Sequence, residues 1–91
     1  MKIMGTWKLK PGGFAEAVRR FLAGQATPPP GVTLLGRWHS ADLRIGFTLV
    51  ETSDPVALYA FQAQWTELLD LESYIVIEDN EAGPILATLN K

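Results

Sequence analysis

Hydrophobic and polar positions along this chain follow two different periods, and the switches between them mark the elements. Residues 2–9, KIMGTWKL, alternate: Ile3, Gly5, Trp7 and Leu9 share one side, and Met4, Thr6 and Lys8 the other. That is the period of a strand, and Pro11-Gly12-Gly13 stops it. Residues 14–23, FAEAVRRFLA, change to helical spacing, with Phe14, Val18, Phe21 and Leu22 in one stripe and Glu16, Arg19 and Arg20 off it. Arg19 and Arg20 come late, where cations suit the negative end of the helix dipole, and Gly24 is placed to end the helix. Thr27-Pro28-Pro29-Pro30-Gly31 cannot be helical and reads as a stiff connector back to the sheet. Alternation resumes over Val32–His39 and Leu43–Thr52, with a tight turn at Ser40-Ala41-Asp42 between the two. Ser53-Asp54-Pro55 is a helix start, a capping side chain followed by proline at the first helical position. It opens a helix over residues 55–69, with Leu58, Phe61, Trp65 and Leu68 on one face. LESYIVIE, residues 71–78, forms a last strand around the β-branched run Ile75-Val76-Ile77. Asn80 to Pro84 ends that strand, and ILATLN makes a short helical turn.

The order β-α-β-β-α-β predicts an α+β domain over residues 1–91, a ferredoxin-like sandwich of two split βαβ units. Its antiparallel four-stranded sheet has strands one and three in the middle and both helices on one face. Strict alternation points Leu34, Gly36, Trp38, Ile45, Phe47, Leu49, Leu71, Ser73, Ile75 and Ile77 toward the helices. Trp7, Trp38 and Trp65 then read as core. The opposite face collects Met4, Thr6, Lys8, Leu35, Arg37, His39, Arg44, Gly46, Thr48, Val50, Glu72, Tyr74 and Val76. Half of it is apolar, and contiguous exposed apolar surface usually marks an interface. The expectation is a two-fold homodimer in which these faces meet around a shared cavity.

Composition changes this picture little. A 91-residue monomer has a thin core, which oligomerisation would enlarge. With 47% hydrophobic and 20% charged residues the chain is ordinary globular protein, and a net charge of -2 gives no reason to expect nucleic acid or an anionic membrane as partner. There is no cysteine, hence no disulfide, thiolate nucleophile or cysteine zinc site. Lys8 and Lys10 interrupt any signal-peptide core, and no apolar run is long enough to span a bilayer. A cytoplasmic location is the expectation.

Several phrases together resemble a known family. Met4-Gly5-Thr6-Trp7, Pro29-Pro30-Gly31-Val32, Leu35-Gly36-Arg37-Trp38-His39, Gly46-Phe47, Leu49-Val50-Glu51-Thr52, Trp65, Leu68-Leu69-Asp70 and Glu72 are similar to the small bacterial domain-of-unknown-function family 3303, within the dimeric α/β-barrel superfamily. The similarity runs to about Ala82. Members often carry proline where this chain has Ile75. The resemblance implies a dimer of ferredoxin-like subunits and supplies no activity.

The chemistry-bearing residues are few. His39 is the only histidine, and its unperturbed pKa lies near neutrality, so it is the candidate general base, with Glu72 or Asp42 to orient it. A turn histidine bonded to the backbone or to a partner subunit is the structural alternative. Arg37 can grip a carboxylate bidentately or pair with Glu72 or Glu78. Thr6, Thr48 and Tyr74 offer hydroxyls. One histidine without cysteine leaves no metal set to expect, and no cofactor-binding motif is present. The RNA-recognition module shares the element order, but Thr48 and Leu49 interrupt the aromatic pattern it requires. Three readings follow. The first is a dimer binding a small, partly apolar molecule, neutral or anionic, between its sheets through Thr6, Arg37, His39, Thr48, Glu72 and Tyr74. The second is a cofactor-independent oxygenase, isomerase or lyase using His39. The third is a purely structural dimer.

Overall fold

The computed structural model describes residues 1–89. In chain order the elements are β1 (Lys2–Leu9), α1 (Phe14–Leu22), β2 (Val32–His39), β3 (Ile45–Thr52), α2 (Pro55–Ala63), β4 (Leu69–Val76) and α3 (Asp79–Ala87). The four strands form one antiparallel sheet in the order β2-β3-β1-β4, so β1 and β3 are central. This is the ferredoxin-like α+β arrangement, with a third helix appended.

Local chemistry sets most boundaries. Asp54 accepts hydrogen bonds from the backbone N–H groups of Val56 and Ala57, both at 3.1 Å, and Pro55 occupies the first turn of α2. Gly31 has a φ of 92°, in the left-handed region that an L side chain resists, and so turns the proline connector into β2. The β2–β3 turn is locked by Ser40, whose N–H reaches the Ile45 carbonyl at 2.8 Å and whose Oγ donates to Asp42 at 2.7 Å. Leu43 takes a φ of 69° in this turn, which is why β3 begins at Ile45 and not at Leu43.

Three other elements depart from the sequence reading. Helix α2 stops at Ala63, not residue 69, and a run of turns over residues 64–68 brings Leu69 into β4 opposite Leu9. The fourth strand accordingly spans 69–76 instead of 71–78. The expected turn at ILATLN is the end of α3, which starts earlier, at Asp79, behind a reciprocal capping box between Glu78 and Glu81. Asn90, the last residue of that expected turn, lies outside the described residues.

The core is thin and split in two. Ile3, Val32 and Val50 from the sheet pack with Leu58 of α2, while Ala17 of α1 packs with Trp65 and Leu69. Polar ties carry α1 across to the α2–β4 turn: Arg20 binds Glu16, Glu67 and the Gln64 carbonyl. Helix α3 buries no side chain, and Ile85 and Leu86 are exposed. No helix among the described residues is long and apolar enough to cross a membrane.

Candidate functional site

Cross-strand pairs share a sheet face, so the register fixes where each candidate points. Ile3 pairs with Val50, Gly5 with Thr48 and Trp7 with Gly46, and the buried Ile3 and Val50 identify this as the inner, helix-covered face. In β2 the register slips between Leu34, which pairs with Val50, and Gly36, which pairs with Leu49. Leu35 is therefore an extra residue, a β-bulge that reverses the alternation beyond it. Arg37 pairs with Thr48 and His39 with Gly46, on the inner face, whereas Trp38 pairs with Phe47 on the outer one.

This corrects the sequence reading in three places. Trp38 is not core: it is 54% exposed, with its ring lying over Gly36. Ile45, Phe47 and Leu49 pair with Lys8, Thr6 and Met4 and belong to the outer set, while Gly46, Thr48 and Val50 belong inside. Arg37 and His39 address the helices rather than a partner subunit. The six expected ligand residues accordingly divide. Arg37, His39 and Thr48 come together on the inner face. Thr6, Glu72 and Tyr74 pair through β1 and β4 on the outer face, where the Tyr74 hydroxyl donates to the Glu72 carboxylate. That carboxylate pushes the Tyr74 pKa up.

The inner floor is hollow for a sequence reason. Gly5 leaves space in front of Thr48, whose Oγ1 would stand only 2.7 Å from a methyl at that position. At Gly46 the missing side chain is replaced by the Trp7 indole, which lies across it. Above this floor α1 does not seat fully. Its apolar stripe, Phe14, Val18 and Phe21, stays exposed and lines a cavity of about 340 Å³ between helices and sheet. Leu34, Leu58, Phe61, Trp65 and Leu69 continue the apolar wall, which reaches residues of both core clusters.

Of the polar residues bordering the cavity, Arg37, His39 and Thr48 come from β2 and β3 and Ser40 from the turn between them, while Thr6, Gln62 and Glu72 come from β1, α2 and β4. Arg37 donates through Nη2 to the Ala26 carbonyl, and its guanidinium lies 5.5 Å from the centre of the Phe21 ring. Among the described residues it makes no ion pair, and burial pushes its pKa below the ordinary arginine value. The His39 ring is held edge-on by two aromatics, Trp7 at 5.4 Å and Phe21 at 5.5 Å between centroids. Neither expected orienting carboxylate reaches it. Asp42 is engaged by Ser40 and Arg44, which hold its carboxyl down to about 2, and Glu72, though it borders the cavity, points by register to the outer face, where its carboxylate takes the Tyr74 hydroxyl.

The cavity residues that sequence reasoning does not single out are Trp7 and Trp65, which read as core, and Phe14, Phe21 and Phe61, which read as apolar helix faces. Two signals in the chain point to them. Gly36 inside a strand pattern marks the bulge, and Gly46 leaves the room beside it that the Trp7 indole takes from the neighbouring strand.

Residues 1–90 match the family described as Domain of unknown function (DUF3303). The chain belongs to that family. No curated protein and no solved structure matches it. Membership brings no activity with it, so the inner cavity of this DUF3303 chain has to be read from its own geometry.

Proposed function

We propose that this protein is a homodimer whose subunits each bind a small, largely apolar molecule in the cavity between helices and sheet. The observation that carries this reading is the unseated α1. A helix with an apolar stripe normally buries it against the sheet. Here Phe14, Val18 and Phe21 instead border an apolar space of about 340 Å³, in the size range of small-molecule sites. A few polar groups, Arg37, Thr48 and His39, converge on one wall. Apolar surroundings with few polar anchors are what orient a small ligand.

The outer face supports the second copy. The bulge and the register gather Met4, Trp38, Phe47, Leu49, Tyr74 and Val76 there, a more apolar set than strict alternation gives. Lys8 and Asp70 flank it with both signs of charge, so two copies related by a two-fold axis can pair these groups reciprocally. Burying this face twice over would supply the core that each subunit lacks.

The test uses a neutral fluorescent probe, N-phenyl-1-naphthylamine, and the variant Val18→Trp, which fills the cavity mouth from an exposed helix position. Probe binding to the unaltered protein and its loss in V18W, with circular dichroism unchanged, is the expected result. Equal binding by both proteins would place the probe elsewhere and end the reading. A second reading, with His39 as general base, draws on one observation: the ring lines the same cavity two residues from Arg37. It requires a bound molecule that turns over, and turnover that His39→Ala abolishes while binding persists.

A further inference from the structure

We propose that the bound molecule is a medium-chain monocarboxylate, its carboxylate held by Arg37 and Thr48 and its chain lying along the apolar cavity; this rests on the cavity-binding reading above. Arginine stays protonated in a protein, so a half-buried guanidinium carries its charge whatever its surroundings. Arg37 gives one donor to the Ala26 carbonyl and rests beside Phe21, and no carboxylate of the described residues answers it. Its remaining donors form a planar fork suited to two carboxylate oxygens. Thr48 stands directly opposite in the ladder, on the same face, and its hydroxyl has no protein partner among the described residues. Both residues line the cavity.

The rest of the cavity limits the class further. One guanidinium balances one negative charge; no lysine lines this space, and Glu72, the carboxylate bordering it, is engaged by the Tyr74 hydroxyl, so a phosphate dianion would bring in an unanswered charge. The remaining lining is dominated by Leu34, Leu58, Phe61, Trp65 and Leu69, which suits a hydrocarbon chain. A volume of about 340 Å³ lies at the small end of ligand sites, which favours a medium-length chain over a long one. An eight-carbon acid is such a medium-length chain.

The experiment is a matched pair of calorimetric titrations on the full chain, octanoate against 1-octanol, which differ at the head group alone. The unaltered protein should bind octanoate about ten-fold more tightly or better, the usual worth of a charge-assisted pair. Arg37→Met should remove that advantage and leave octanol unchanged, while Arg44→Met, at an exposed turn position, should alter neither. Equal binding of the two probes by the unaltered protein overturns the carboxylate assignment and leaves the cavity reading standing. Failure of both probes to bind overturns the assignment together with that reading. The comparison on unaltered protein needs no variant, so it decides even if R37M does not fold.

Discussion

Gly46 and Leu43 are the residues where backbone and side-chain requirements meet most sharply. A methyl group at Gly46 would collide with the Trp7 indole, which has no flexible end to swing away. Gly46→Ala should therefore destabilise the fold by about 1–3 kcal/mol, as overpacking does, and shift the tryptophan emission. Gly83, on the exposed α3, has nothing within 4 Å of the same methyl, so Gly83→Ala should be tolerated. Leu43 poses the opposite case. Its φ of 69° costs an L residue about 1–2 kcal/mol, and Leu43→Gly should raise the denaturation midpoint accordingly, measured by urea unfolding. That strain sits on the rim of the cavity, where Leu43 is one of the lining residues. At this scale the sequence was legible for residue type and not for direction. Arg37, His39 and Thr48 stood out as chemistry-bearing, but a single extra residue at Leu35 reversed which face two of them address. Period-two reasoning has no tolerance for one insertion.

Among the elements, those bounded by proline, glycine or a capping side chain were readable from the chain, since these act locally. β1, β2, the start of α1 and the start of α2 all fall where such signals put them. The end of α2 was not readable, because it is set by a distant requirement: Trp65 and Leu69 must join the cluster beneath α1, and Leu69 must pair with Leu9. Helix α3 was hidden by Gly83 and Pro84, both disruptive in isolation, though Glu78 and Glu81 have the spacing of a capping box. Asp54→Ala removes both cap hydrogen bonds of α2 and should cost about 1 kcal/mol, seen as a fall in melting temperature of roughly 4–8 °C for a domain this size. In α1, hydrogen bonds from Arg19 and Arg20 hold the Glu16 carboxyl down to about 2, below its ordinary 4.5. A depressed carboxyl contributes fully above its unfolded value and loses that contribution as pH falls through the folded one. Amide protection in α1 should thus hold above pH 4.5 and decline toward pH 2, with the decline reduced in Glu16→Gln, which lacks the titrating group.

The molecule as a whole is extended for its length. Its radius of gyration is 15.6 Å and its extents are 53 × 30 × 18 Å, against about 12 Å for the radius of a compact chain of this size. The projecting α3, the half-empty layer between helices and sheet, and the apolar outer face together leave one copy with little buried core. On the proposed reading each of the two sheet faces serves a separate purpose, ligand on the inner and partner on the outer. Phe47→Asp, on the outer face, should accordingly convert a dimer to a monomer in sedimentation velocity while leaving octanoate affinity within about three-fold, since sites on opposite faces without shared partners behave independently. The most direct test of the central claim is a crystal of the protein under xenon pressure, because xenon enters apolar cavities and is located by its own scattering. The account predicts a xenon site between α1 and the sheet, bounded by Trp7, Phe21 and Trp65. Xenon found solely at the outer face, beside Trp38 and Phe47, would contradict it.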